Sequence, residues 1–418
     1  MTHASRYPCL NFDLSYDTVN KKPKETTVRV LGKWIGRLLL LIAIAIAAFL
    51  IIAPGYVEKS RNSIVPHDPY PVSPEALALH DTLQIGDWHA DSLLWQRNIA
   101  KRGTRGQVDI PRLIEGGVAI QVFTAVTKSP AGQSYDSNSS DAFDNITPLA
   151  IGQLWPIRTW GSILERALYQ AEKLHTVANK IPDQLTIIKS LADLEGHLAA
   201  RAAGSKAVGG LLGIEGAHPL EGDLANMDKI ETAGHRVIGL QHFFDNALGG
   251  SLHGESNLGL TDFGRTVVAD IATRGMVLDL AHSSPQVARD VLDMTDMPVI
   301  VSHTGLHGHC PVKRNFTDDL MQDIAASGGV LGMGYWAEVA CGDITPSGIA
   351  KMIKAGVEAV GVDHVSLGSD FDGSVETAFD TSELPALTHA LIEVGLSEVG
   401  IRKVMGENLI RVLRARLK

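Results

Sequence analysis

The 418 residues predict an α/β chain, a (β/α)8 TIM-like barrel carried behind an N-terminal transmembrane helix. Three observations lead there. Eight short apolar runs alternate with helical patterns along the chain. Most of those runs are continuous rather than alternating, as strands covered on both faces require. Four of them deliver metal-ligand side chains at their C-terminal ends, and a closed barrel gathers such residues at one mouth more readily than a doubly wound open sheet does.

The N-terminal element comes first. Residues 38–53 carry no polar side chain, and residues 34–56 extend the run with a single Arg37 able to snorkel. At about 1.5 Å per helical residue this stretch spans a hydrocarbon layer of roughly 30 Å. Ahead of it lie Arg6, Lys21, Lys22, Lys24, Arg29, Lys33 and Arg37 against Asp13, Asp17 and Glu25, and no basic excess follows it. The positive-inside bias therefore predicts a single-pass protein with a cytosolic N-terminus and an exported, periplasmic or extracellular body. A cleaved signal peptide is the rival reading, but its apolar region is usually about 7 to 15 residues with a small-x-small cleavage site. The expected organisation is a cytosolic tail (1–33), an anchor (34–56), a proline-rich linker (57–74) and one catalytic body (75–418).

Within the body the apolar runs are 82–86, 118–123, 208–214, 237–240, 276–280, 298–302, 329–334 and 364–368. Helical patterns occupy 163–178, 226–233, 261–273, 285–294, 318–326 and 347–356, and a last helix over 397–417 ends basic, as a helix C-terminus prefers. The stretch 127–207 is long for a βα connection and is expected to overhang the mouth.

Composition narrows the partners. A net charge of −10 offers no basic stripe and disfavours nucleic acid. Cys9 falls on the cytosolic side of the expected topology. Cys310 and Cys341 fall in the oxidising compartment, where they either pair or remain two buried thiols. The acceptor triplets at Asn138, Asn145 and Asn315 are too short a pattern to weigh.

The chemistry concentrates in four segments. D-W-H-A-D supplies His89 and Asp91, an H-x-D pair whose i and i+2 side chains share one face of a strand. G-I-E-G-A-H supplies Glu215, L-D-L-A-H-S supplies His282 and V-S-H-T supplies His303. Neutral imidazoles and carboxylates are zinc ligands, and a two-oxygen carboxylate can bridge two ions. Two Zn2+ per chain, about 3.5 to 4 Å apart, would share a water whose pKa drops toward 7, giving a hydroxide nucleophile. Asp370 in G-S-D-F-D-G stands at the same face and is placed to move a proton from that water to a leaving amine; this acidic turn lacks the ligand spacing of an EF-hand. Arg314 in C-P-V-K-R-N either clamps a substrate carboxylate bidentately or is a solvated surface arginine. His242 in G-L-Q-H-F-F either polarises a scissile carbonyl or stacks in the core.

These motifs resemble the membrane dipeptidase (renal dipeptidase) family of zinc peptidases over about residues 83–414. The resemblance rests on D-W-H-A-D, D-I-P-R-L-I-E-G-G-V-A-I-Q-V-F, G-I-E-G-A-H, L-D-L-A-H-S, V-S-H-T, K-R-N, G-S-D-F-D-G and V-M-G-E-N-L-I-R-V, in order and at matching intervals. It implies a binuclear zinc barrel with His89, Asp91 and Glu215 on one ion and Glu215, His282 and His303 on the other. It also implies that His242 meets the carbonyl, Arg314 the free carboxylate of the second amino acid and Asp370 the proton transfer, in a dipeptide substrate that can end in a D-residue. Cys310 and Cys341 resemble a disulfide pair of mammalian members, and a homodimer is compatible with the family.

Two departures stand out. The chain ends R-V-L-R-A-R-L-K, without the hydrophobic tail that lipid-anchored members lose, so its expected anchor is at the other end. After His242 it reads F-F-D-N-A-L-G-G-S-L-H-G, where mammalian members continue toward a Cys and a Trp. That loop leaves side-chain preference open. The competing readings are a related amidohydrolase tailoring a secreted peptide or other amide, and a metal-binding scaffold without turnover.

Overall fold

The computed structural model describes residues 25–418, together with Met1 and Pro8. Arg6, Cys9, Asp13, Asp17, Lys21, Lys22 and Lys24 lie outside the described residues. The chain divides into two compact units, Met1–Ile51 and Ile52–Lys418. In the first, helix α1 (Glu25–Arg61) runs through the apolar stretch, with Leu38, Leu39, Leu40 and Leu41 all exposed. Its Arg29–Arg61 portion is long and apolar enough to cross a membrane.

The last ten residues of α1 belong to the second unit. Here the structure corrects the expected linker, because α1 continues through Pro54 to Arg61. Pro54 removes only one backbone donor, which bends a helix without ending it when the following turns are otherwise held. Glu58 holds them: it is buried and pairs with Arg97 and Arg105. Beyond Arg61 the chain lies against the body through an Ile64–Thr377 bridge.

The body is a closed parallel barrel. Its strands are β1 (Ile85–Ala90), β2 (Val118–Val126), β3 (Leu185–Ile187), β4 (Val208–Glu215), β5 (His235–Gly239), β6 (Val277–Asp279), β7 (Ile300–Thr304), β8 (Val330–Met333) and β9 (Val365–Leu367). β1 pairs with β2 and β9, β2 also pairs with β4, and β4 through β9 follow one another, so eight strands close the ring. The ninth, β3, joins only the start of β4, at Leu185 to Val208 through Ile187 to Gly210. Three residues are too short to leave a periodic signal, and no strand was expected there. The expected helices at 226–233, 285–294 and 318–326 stand as Asn226–Ala233, Pro285–Met294 and Asp318–Ala326.

The first apolar run, 82–86, marks only the start of its strand. β1 extends through D-W-H-A, whose polar side chains are buried toward the mouth. The last helix is also corrected. It breaks into Glu398–Arg402, a wider turn Lys403–Glu407 and Asn408–Arg416. Gly406 causes the break by lying against the start of β1, where a Cβ would sit 1.8 Å from the Gln84 carbonyl oxygen. The final segment then packs Leu409, Val412 and Leu413 on Ile120, Leu211, Val237, Val277, Ile300 and Val330 from six strands. It closes the barrel end opposite the mouth.

Candidate active site and metal centre

Three ligand-type residues sit at strand ends: His89 in β1, Glu215 as the last residue of β4 and His303 in β7. Three more stand three residues past a strand: His242 after β5, His282 after β6 and Asp370 after β9. The turns after β6 and β9 are tight, with φ of 62° at His282 and 59° at Asp370. Non-glycine residues adopt this left-handed region only where surrounding contacts hold them there. Asp91 differs from its expectation. It lies just beyond β1 with φ −95° and ψ 26°, after a register irregularity between Asp87 and Ala90, so strand alternation is not what aligns it with His89. The two still converge, with His89 Nε2 3.4 Å from Asp91 Oδ1, and the Thr124 hydroxyl donates to the same oxygen.

Glu215 is the hub. Its Oε1 lies 3.5 Å from His89 Nε2, 3.2 Å from His282 Nε2 and 3.5 Å from His303 Nε2, while Oε2 lies 3.3 Å from His242 Nε2. His282 and His303 face each other, Nε2 to Nε2, at 2.9 Å. Asp370 Oδ1 is 3.8 Å from His89 Nε2. All of these residues are buried. The structure thus brings together His89, Asp91, Glu215, His242, His282, His303 and Asp370.

The donor set fits divalent cations. Two ligand atoms about 2.1 Å from one tetrahedral ion lie roughly 3.4 Å apart, which matches most of these separations. His89 Nε2 and His282 Nδ1 are buried with no hydrogen-bond partner among the described residues, a condition that costs free energy unless something else engages the nitrogen. The sets His89, Asp91, Glu215 and Glu215, His242, His282 each place their donors within 4.8 Å of one another. Glu215, His282 and His303 are as close by the distances above.

Electrostatics describe the same need. Burial first, then Asp91, pushes Glu215 well above the ordinary carboxylate range. Burial first also raises Asp370, to about 8, with His89 opposing. Burial holds His282 and His303 far below the usual imidazole value and His242 at about 4. A bound cation favours the ionised carboxylates and neutral imidazoles that such ligands require.

Arg314 lies in the loop after β7, but it is not a surface arginine. It is buried, donates from Nη2 to His303 O at 2.6 Å, and stacks over Trp336 with its central carbon 5.6 Å from the ring. Its Nε has no partner among the described residues. Cys310 and Cys341 are disulfide-bonded on either side of that loop. Asp372, the second acid of G-S-D-F-D-G, turns away to accept from Gln107 N at 2.7 Å and to pair with Arg97.

Sequence reasoning did not single out the aromatic wall beside His282. Phe243 and His253 lie 5.0 and 5.2 Å from its ring, and Tyr135 lies 5.6 Å from Phe243. These residues come from loops, where no periodicity marks a position. The one available signal was that the loop after His242 departs from the expected pattern.

Residues 74–417 match the family model described as membrane dipeptidase, peptidase family M19. Among sequence relatives, the dipeptidase aclJ of Aspergillus oryzae is 30% identical over 354 residues, covering 79% of this chain and 77% of its own length. The dipeptidase ataJ of Aspergillus terreus is 27% identical, covering 77% and 80%. Among solved structures, a metallopeptidase of Rhodobacter sphaeroides bound to a phosphinate mimic of L-Ala-D-Ala superposes with a TM-score of 0.64 at 24% identity, over 80% of this chain and all of that one. The probable dipeptidase PvdM of Pseudomonas aeruginosa gives 0.67 at 20% identity, over 82% and 97%. These two structures bear on the fold. The family match and the sequence relatives carry the assignment: the chain belongs to the membrane dipeptidases, peptidase family M19, and is a hydrolase of the metallo-dipeptidase class.

Proposed function

We propose that this protein is a membrane-anchored zinc dipeptidase that hydrolyses the peptide bond of dipeptides, L,D-dipeptides included. The observation that carries the reading is Glu215, one carboxylate within 3.5 Å of four buried imidazole nitrogens. In this reading His89, Asp91 and Glu215 hold one Zn2+, and Glu215, His282 and His303 hold the other. When bound, the pair supplies Lewis acidity and a water acidified enough to attack at neutral pH.

The protein's own groups do the rest. Asp370, beside His89, accepts a proton from the attacking water and passes it to the leaving amine. His242 already spends its Nδ1–H on Lys128 O at 3.0 Å. To donate from Nε2 to the carbonyl oxygen it must draw a second proton from solvent, against the burial that holds its pKa at about 4; the negative charge developing on that oxygen favours this uptake, and the proton returns to solvent when the carbonyl reforms. Arg314 offers its unpartnered Nε–H to the substrate's terminal carboxylate. The Rhodobacter enzyme's phosphinate mimic motivates including L-Ala-D-Ala among the substrates.

The anchor reading rests on the apolar helix and the basic residues before it, and a disulfide suits an exported body. A tailoring role on a longer secreted peptide is the second reading, favoured by the distinct loop after His242. The test is metal analysis of the full-length protein together with amino-acid release from a panel of L,L- and L,D-dipeptides and longer peptides. Two zinc per chain and turnover confined to dipeptides are expected; turnover restricted to longer peptides overturns the first reading in favour of the second.

A further inference from the structure

Tyr135 belongs to the long insertion after β2, and the chemistry above gives it no task. Its segment is held from two sides. His253, in the loop after β5, donates Nδ1–H to Tyr135 O at 2.8 Å. Asn138 answers with its backbone N–H at 2.8 Å and its side-chain amide at 3.0 Å, both to His253 O. On the other side Lys313, the neighbour of Arg314, donates its ammonium to Asp136 O. Asn138 also closes the segment on itself, accepting from Ser134 N at 2.9 Å and donating to Ser134 O at 2.6 Å. Residues 134–138 therefore bridge the loop after β5 and the arginine loop after β7, as a fixed roof rather than a free flap.

Under that roof the Tyr135 ring rests on His253 and Phe243, at 5.4 and 5.6 Å between centroids. The hydroxyl lies in the field of both Asp370 and Arg314. Burial first and then the Asp370 charge keep it protonated, with Arg314 acting the other way. The Trp336 indole N–H is buried with no hydrogen-bond partner among the described residues, and as a donor it offers the phenol hydrogen no acceptor. Arg314 below is buried to 2% exposure and backed by Trp336. A carboxylate on its free Nε thus sits at a closed end.

Building on the dipeptidase reading, we propose that Tyr135 contacts the substrate. It donates its hydroxyl hydrogen to the terminal carboxylate held by Arg314 and, with Arg314, closes the pocket behind that carboxylate, so that a third residue has no place.

Steady-state kinetics of the full-length zinc-loaded protein test this with three substrates: L-Ala-D-Ala, its C-terminal amide and a tri-alanine. Tyr135→Phe is expected to raise KM for the dipeptide about tenfold with kcat nearly unchanged, the pattern of a lost binding contact, and to leave the amide's kinetics as they were. Tyr135→Ala is expected to raise the tripeptide-to-dipeptide ratio of kcat/KM about tenfold. An equal loss on acid and amide substrates would assign Tyr135 a merely structural role and overturn the carboxylate contact. An unchanged tripeptide ratio overturns the closing wall. Wild-type protein inert toward every dipeptide sinks the dipeptidase reading itself, and this proposal with it.

Discussion

Asp279 Oδ1 accepts the Ser302 backbone N–H at 2.9 Å, across the β6–β7 pair. The same oxygen accepts Ala281 N at 2.9 Å. One buried carboxylate oxygen therefore fixes the backbone immediately before both His282 and His303. Asp87 repeats the device in β1, accepting His89 N at 2.9 Å and Ser369 N, beside Asp370, at 3.1 Å. Supports of this kind typically carry about 10- to 100-fold in metal affinity. Asp279→Ala should weaken zinc binding by that factor, whereas Asp279→Asn, which retains an oxygen for both donors, should bind almost as wild type. Competition against a chromophoric chelator reads both. Equal damage from Asn and Ala would mean that the charge matters and the hydrogen bonds do not.

Removing the metal should remove both activity and stability. Buried polar groups that lack partners are costly, and a ligand that binds only the folded state stabilises by about 4 kcal/mol at a thousand times its Kd. Chelated protein should melt earlier by calorimetry and lose hydrolysis, with both restored by zinc. Glu215→Gln keeps the shape of the hub but halves its capacity to join two ions. It should lower zinc below two per chain and activity by at least about 10³-fold. Full zinc content with unimpaired turnover in this variant would end the bridging assignment.

The acid limb of stability should owe a measurable part to His235, which is remote from the ligand set. It is fully buried and its Nδ1–H donates to Gly213 O at 3.0 Å. Burial lowers its pKa to about 4, with the Gly213 hydrogen bond opposing. The unfolded imidazole titrates near 6.5. Between those values only the unfolded chain takes up the proton, so stability present above pH 6.5 is lost as pH falls toward about 4, on the order of 3 kcal/mol in all. Urea titrations at pH 7 and pH 4.5 should show a shallower decline in His235→Asn than in wild type. Parallel declines would show that the imidazole titrates alike in both states.

How much of this was legible in the sequence depended on where each residue sits. His89, Glu215 and His303 end or follow apolar runs that became strands β1, β4 and β7, so their convergence could be read from periodicity and barrel geometry. His282 and Asp370 were found by motif, but their left-handed turns arise from contacts across the mouth that no local pattern encodes. Arg314 could not be told from a surface arginine, because its burial depends on Trp336 and the His303 carbonyl. Tyr135 and His253 were invisible for the same reason, being loop residues joined by hydrogen bonds across 118 positions. The break at Gly406 escaped because a glycine is tolerated in a helical pattern; only the Gln84 carbonyl behind it decides.

The last turn of α1 gives a final prediction about where the catalytic body begins. Glu58 is buried to 1% exposure and pairs with both Arg97 and Arg105. Arg97 also pairs with Asp372, two residues from Asp370, so Glu58 shares in holding the turn that presents the proposed proton carrier. Removing one partner from such a buried network typically costs about 3 to 5 kcal/mol, because a charge is left uncompensated. A chain starting at Ile52 should therefore keep wild-type unfolding free energy and turnover. A chain starting at Asn62, or the point variant Glu58→Ala, should lose that amount in urea titrations and lose kcat through a displaced Asp370. If the Asn62 start were as stable and active as the Ile52 start, α1 would serve only as a tether, and the Glu58 pairs would contribute nothing to the site.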